Sequence, residues 1–343
     1  MYFDLKPKEN AEDLFDYREE LQILNRYIKD KLTRMIVIKG PRRVGKTSII
    51  KTCLKENKIK NIFIDARLLS APTRKEFDLA LINGLKGMSI FSELIDKIEE
   101  VELGVKISLS KETNLIKLIE NKEFVLVVDE AQYLIGSGVD LLLAYLYDHT
   151  KIKIILSGSQ IGLLDRFIGQ KISSAALFGR PFAEIKLQRF NREKSLQFLK
   201  EGFKQVQKKI DEKNLEEAVN MLDGSIGWLT AYGYYSLNYQ HKTAIEKTKE
   251  YGLALVKKEY EEFLSPRRIS EKFYNSIMQN LLLKEMRWSQ LKRALEISSG
   301  VSLTDMQFNR YLKNLLDYGF IEEKEGQYFI PDPLIIALFT NMG

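Results

Sequence analysis

Arg34-Met35-Ile36-Val37-Ile38-Lys39, followed without a break by Gly40-Pro41-Arg42-Arg43-Val44-Gly45-Lys46-Thr47-Ser48, decides the fold. The first six residues centre on a β-branched apolar run, the composition of a strand covered on both faces. The next eight read G-x-x-x-x-G-K-T. Such a loop turns its backbone N–H groups inward around an oxyanion, and the helix after it offers its N-terminus to the same charge. Its guest is the phosphate chain of a nucleotide. Gly40, Pro41, Arg42, Arg43, Val44, Gly45, Lys46, Thr47 and Ser48 are therefore the expected nucleotide-binding residues, with Lys46 reaching the β- and γ-phosphates and the Thr47 hydroxyl ligating Mg²⁺.

Working outward, Lys60 to Asp65, Phe124 to Asp129, Lys153 to Ser157 and Phe182 to Leu187 repeat the short apolar pattern, each followed by a helical stretch or a turn. Runs that do not alternate with polar residues predict a parallel sheet with helices on both faces. The third run ends in Asp129-Glu130. Asp129, at a strand end, can hold Mg²⁺, and Glu130 can orient or deprotonate an attacking water, so the pair points to hydrolysis rather than binding alone. Asp65 ends its strand in the same way, but a turn or helix cap explains it equally well. Ser157 and Ser159, in Ser157-Gly158-Ser159-Gln160, offer hydroxyls to a γ-phosphate or lytic water; a plain turn is the alternative. Arg180, between Gly179 and Pro181, suits transition-state charge in its own subunit or a neighbour's, which leaves a homo-oligomer open, against the alternative of a surface loop arginine.

From Asn191 the strand signal gives way to helical periodicity over 192–208, 212–222, 228–239 and 244–263. Pro266-Arg267-Arg268 interrupts it. Helical stretches at 270–283, 288–297 and 303–317 then lead to short strands at 320–322 and 327–330 around a turn at Glu325-Gly326, the order of a winged helix. The expected parts are an α/β core over 1–190, a helical domain over 191–265 and a winged helix over 266–343.

Composition narrows the class. At roughly 100 to 200 residues per domain, 343 residues hold two or three. With 45% hydrophobic and 29% charged residues the chain is globular. One cysteine, Cys53, and two histidines leave no thiolate zinc site, so a metal must ride on oxygen. The uncharged stretch from Gly224 to His241 is too polar to span a bilayer, and Asp4, Lys6, Lys8 and Glu9 exclude a secretory leader at this N-terminus; a cytoplasmic address and no membrane partner are expected. Residues 1–190 carry 31 basic against 26 acidic side chains, 191–265 carry 12 and 12, and 266–343 carry 10 and 9. The excess is concentrated in the first segment, a weak footprint for nucleic acid at the C-terminal one.

Taken together, Tyr17-Arg18-Glu19-Glu20-Leu21, the GPRRVGKT loop, Val125 to Gln132 (VLVVDEAQ), Leu156 to Gln160 (LSGSQ), Leu177 to Pro181 (LFGRP) and the Gly224 to Leu229 segment resemble the archaeal ATPase family within the AAA+/STAND group of P-loop proteins. The resemblance spans essentially the whole chain. It implies a P-loop NTPase core, a helical lid and a C-terminal winged helix, with ATP or ADP as the nucleotide and adenine between the segment around Tyr17 and Arg18 and the lid. Two departures stand out. Ile226 occupies the place of the family's lid proline, and no arginine stands in the lid helix there.

The expected function is an ATPase switch. Lys46, Thr47 and Asp129 hold MgATP, Glu130 positions water, and Ser157, Ser159 and Arg180 report the γ-phosphate, while a changed angle between core and lid is carried by the winged helix to a partner. That partner is a protein or double-stranded DNA. Gln307, Asn309, Arg310, Lys313 and Asn314 could read DNA, whereas Glu322-Glu323-Lys324-Glu325 would repel it. A DNA-binding regulator or loader under ATP control is the alternative function. A small-molecule P-loop kinase fits the Asp129-Glu130 pair and the extra C-terminal module less well.

Overall fold

The computed structural model describes residues 1–88, 119, 122–170, 174–222 and 224–341, which form two compact units. One contains Lys8–Gly40 and Lys46–Leu187; the other contains Met1–Pro7, Pro41–Gly45 and Gln188–Gly343.

The first unit is built on a five-stranded sheet of β1 (Met35–Lys39), β2 (Asn61–Asp65), β3 (Val125–Asp129), β4 (Lys153–Gly158) and β5 (Ala183–Lys186), in the order β2-β3-β4-β1-β5. Every pairing is parallel. The apolar runs predict all five strands to within two residues at either end. β1 and β3 are buried along their whole length, as an unbroken β-branched pattern requires when both faces are covered. The cover includes α1 (Arg18–Lys29), α2 (Lys46–Glu56), α3 (Arg74–Lys86), α4 (Val139–His149) and α5 (Ile161–Phe167). Val37, Leu126, Val128, Ile154 and Leu156 form a fully buried centre to which Phe77, Leu81, Leu143 and Leu164 add from the helices. Each such side chain contributes about 1.5–3 kcal/mol over leaving it in water.

The second unit is mainly helical, with α6 (Arg192–Gln205), α7 (Glu212–Leu222), α8 (Ile226–Ser236) and α9 (His241–Leu264). Phe3 is fully buried in this unit, with its ring 4.7 Å from Phe203 and 5.9 Å from Phe198. After a 3-10 turn at Ser265–Ser270 come α10 (Glu271–Leu283), β6 (Met286–Arg287), α11 (Trp288–Ser299), α12 (Asp305–Tyr318), β7 (Glu322–Lys324), β8 (Gln327–Phe329) and α13 (Pro333–Thr340). The hairpin gains β6 as a third strand, in the order β6-β8-β7. Two residues are too few to register as a pattern in sequence, and α13 follows directly on the expected last strand.

The expected boundary at Pro266 ends α9 but is not a slack linker. Tyr260 on α9 lies 5.2 Å from Phe320 and 4.9 Å from Phe339, and Phe263 lies 4.9 Å from Tyr274. The Arg267 guanidinium sits over both Phe263 and Tyr318, at 4.6 and 4.7 Å. Edge-to-face rings and a cation over their faces make the end of α9 part of the winged-helix core.

Candidate functional site

The strand ends lie level across the sheet. Lys39 is in register with Gly158, Ile38 with Ser157 and Asp65 with Asp129. The carboxyl edge of a parallel sheet is where such folds receive ligands, because each chain leaves its strand there for a loop. Gly40 leaves β1 at this edge and Lys46 opens α2. The Lys46 ammonium donates to the Gly40 carbonyl at 2.9 Å, which ties the two ends of the loop together. Gly45 has φ 90°, open to glycine at little cost, while Arg43 takes φ 64°, which is strained for a residue with a Cβ. Arg42 and Arg43 are ion-paired to Glu259 of α9.

Asp129 is fully buried at the end of β3. Thr47 Oγ1 donates to its Oδ2 at 2.6 Å, Ser157 Oγ donates to its Oδ1, and the Glu130 N–H reaches the same oxygen at 3.1 Å. Burial, with the neighbouring Glu130 charge behind it, holds the Asp129 carboxyl above its ordinary range despite the two hydroxyls. A buried carboxylate of this kind gains from a nearby cation.

Glu130 leaves the strand with φ 52° and ψ 45°, a left-handed conformation that turns its side chain away from Asp129's partners. Its Oε2 accepts from Gln132 Nε2 at 2.5 Å, from the Ser159 N–H at 3.1 Å and from Ser159 Oγ at 2.7 Å. Burial alone would raise this carboxyl; the Lys46 charge and the Gln132 and Ser159 donors outweigh it and hold Glu130 below its ordinary value. Two adjacent carboxyl groups are thereby driven in opposite directions by their surroundings.

Thr47, Asp129, Glu130, Ser157 and Ser159 thus meet in one network, with Lys46 near enough to act on Glu130 by charge. Ser48 is turned elsewhere, its Oγ accepting from the Lys8 N–H at 3.0 Å. Tyr17 is buried just before α1 and its hydroxyl is pushed up, chiefly by burial; Arg18 is exposed. Arg180 does not join the network: its guanidinium pairs with Asp148 of α4 and donates to the Ala176 carbonyl. Arg67 is a member sequence reasoning missed. It clasps Asp65 through Nε at 3.0 Å and Nη2 at 2.7 Å, and it feels the Glu130 and Asp129 charges as well. Gln132 is another; a Cβ at Gly158 would collide with its amide, so the glycine between the two serines makes room for the side chain that holds Glu130. The small residue between Ser157 and Ser159 was the signal.

The donor set suits Mg²⁺. Asp129 and Thr47 present hard oxygens within hydrogen-bond distance of each other, with an uncompensated buried charge between them. Among the described residues no group of three or more His, Cys, Asp or Glu could hold an ion by itself.

Comparison with known proteins agrees with this architecture. Residues 268–331 match the C-terminal winged helix-turn-helix domain of MCM proteins. Two uncharacterized proteins of Methanocaldococcus jannaschii are 26% and 25% identical over 94% and 96% of this chain, which covers 67% of each. The structure of a Walker-type ATPase of Pyrococcus abyssi superposes with a TM-score of 0.79 at 32% identity, covering 99% of this chain and all of that one. The ORC2 protein of Aeropyrum pernix, in its ADP form, shares the fold at a TM-score of 0.59 and 14% identity, over 98% of this chain and 96% of that one. Residues 14–231 match the ATPase domain found predominantly in Archaea, and with that P-loop core ahead of its winged helix the chain belongs to the archaeal ATPase family.

Proposed function

We propose that this protein binds and hydrolyses ATP and uses the nucleotide state to control its C-terminal winged helix, with a core over 1–190, a helical segment over 191–265 and an interaction module over 266–343. The observation that carries the reading is the division of labour at the end of β3, where Thr47 and Ser157 hold Asp129 while Ser159 and Gln132 hold Glu130. Thr47 and Asp129 would hold Mg²⁺, which neutralises charge on the transferring phosphoryl group. Lys46 would exchange the Gly40 carbonyl for phosphate oxygen. Glu130, ionised at neutral pH, orients water and accepts its proton. Arg180 would have to release Asp148 before meeting phosphate, in its own subunit or a neighbour's.

A protein partner for the winged helix is favoured over DNA by two contacts and an exposed pair of acids. Asn309 on α12 has its amide oxygen committed to Trp288 Nε1 at 2.7 Å, Asp305 shares that helix, paired at 2.7 Å with Lys292, and Glu323 and Glu325 stand exposed on the wing. The DNA reading keeps one specific support, the exposed Arg310 and Lys313 on α12.

ATP turnover by wild type and Glu130→Gln, each with and without double-stranded DNA at low salt, tests both readings. Turnover lost in the variant with ATP still bound, and indifferent to DNA, supports the protein-directed switch. A DNA-shifted rate that weakens with salt, and weakens further when Arg310 and Lys313 are neutralised, moves the assignment to a DNA-binding regulator. A variant as fast as wild type removes Glu130 from its role.

A further inference from the structure

The middle of the phosphate loop is gripped by residues that no loop motif contains. Glu259 on α9 reaches Arg42 Nη1 with Oε2 at 2.8 Å and Arg43 Nη2 with Oε1 at 2.7 Å. The Arg43 guanidinium lies 4.1 Å from the centre of the Trp228 ring, and the Gly227 N–H donates to the Arg43 carbonyl at 3.0 Å. Arg43 is thus fixed at three points: its charge, its face and its backbone oxygen. It is also the loop residue with φ 64°. A non-glycine residue persists in that conformation only where its surroundings over-determine it, and here the three contacts do so.

Trp228 is itself anchored. Its indole Nε1 donates to both carboxylate oxygens of Asp332 at 3.1 Å, and Asp332 caps α13 by accepting from the Leu334 N–H at 2.9 Å. A continuous set of contacts therefore runs from the loop arginine through one indole to the last helix.

We infer that Glu259 and Trp228 are positioning residues for the phosphate loop: they hold Arg43 in its left-handed conformation so that the loop is set for nucleotide phosphate before nucleotide arrives, and Asp332 ties that setting to α13. The inference rests on the nucleotide-binding reading of the loop. Pre-organising a loop raises affinity by removing the cost of ordering it on binding. The arginine side chains act here through Glu259 and the indole.

Equilibrium binding of ADP and ATP by the full chain is the test, with a thermal melt of each variant to establish folding. Glu259→Gln is expected to bind about tenfold more weakly, from the strain the clamp restrains and the charge-assisted bonds it loses. The discriminating variant is Arg43→Gly, since glycine takes the left-handed conformation without help; in that background Glu259→Gln should cost at most about twofold. A merely structural role for Glu259 would cost the same in both backgrounds and would overturn the inference. With Trp288→Phe leaving Trp228 as the sole tryptophan, Asp332→Asn should shift the emission of the nucleotide-free protein and weaken ADP binding. Emission and affinity both unchanged by Asp332→Asn overturn the link to α13. Wild-type protein that binds no nucleotide removes the underlying reading; wild type that binds while Glu259→Gln binds equally well removes only this one.

Discussion

The end of β3 and the middle of the phosphate loop both keep charge away from water, and they do so by different means. At β3 the charges are Asp129 and Glu130, and their partners are short polar side chains in or beside the recognisable motifs: Thr47, Gln132, Ser157 and Ser159. In the loop the charges are Arg42 and Arg43, and their partners, Glu259 and Trp228, are about two hundred residues away in sequence. On the proposed function the first arrangement would prepare chemistry, because it sets the proton affinities of two carboxyl groups. The second prepares shape, because it fixes a backbone conformation and leaves the reacting groups alone. The chemistry is accordingly carried by contiguous motifs and the shape by the tertiary fold.

The largest effect should come from breaking the chemical side. Glu130→Gln is expected to lower ATP turnover by about 10² to 10⁴, the range for loss of a general base, with nucleotide affinity close to wild type. A comparable fall in affinity would mean that Glu130 belongs to binding instead. The shape side should respond in affinity: a Cβ at Gly227 would lie 2.6 Å from Arg43 Cβ, so Gly227→Ala should push the arginine out of its clamp and weaken ADP binding by about tenfold, an overpacking cost. Equilibrium titration distinguishes this from a turnover defect.

Ser159→Ala sharpens the contrast through pH. Its hydroxyl helps hold Glu130 below the ordinary carboxylate value. A base with a lowered value stays ionised, and active, until the pH falls through that value. Removing the donor should therefore move the acid limb of the turnover profile to higher pH, with an optimum rate reduced by less than about tenfold, the loss of one charge-assisted bond. The bond also favours the fold above the unfolded carboxyl value, a contribution lost as pH falls through the lowered one.

Asp129→Asn should act in the opposite sense and produce the smallest shift. Asp129 is held above its ordinary value, so its ionised form burdens the nucleotide-free fold at neutral pH, and that burden disappears as pH falls through the raised value. The variant should melt about 2 °C higher without nucleotide at pH 7, converge with wild type in acid, and lose Mg²⁺-dependent turnover. A lower melting temperature would show that the Thr47 and Ser157 bonds outweigh the charge.

How much was legible in sequence follows the same contrast. The strands announced themselves because burial on both faces demands uninterrupted apolar runs, mostly β-branched, as in Ile36-Val37-Ile38 and Val125 to Val128. The loop, Asp129 and Glu130 were legible because backbone geometry forces their spacing. Trp228 is 1% exposed; that its face also carries Arg43 depends on α8 and the loop meeting in space. Glu259 was one of many charges on a helix, and its periodicity carried no mark of its two partners. The pairing of Ser157 with Asp129 and Ser159 with Glu130 likewise depends on the register between β3 and β4.

The burial of Phe3 bears on how the molecule is made. The first seven residues belong with the helical unit, and the rings that enclose Phe3, Phe198 and Phe203, are translated almost two hundred residues later. At ordinary synthesis speeds that is a wait of roughly 10–40 s. Throughout it, Phe3 lacks the rings of Phe198 and Phe203, while Lys8–Gly40 and Lys46–Leu187 of the sheet unit have already been made. Phe3 can therefore reach its native surroundings only after residues 198–203 have been made.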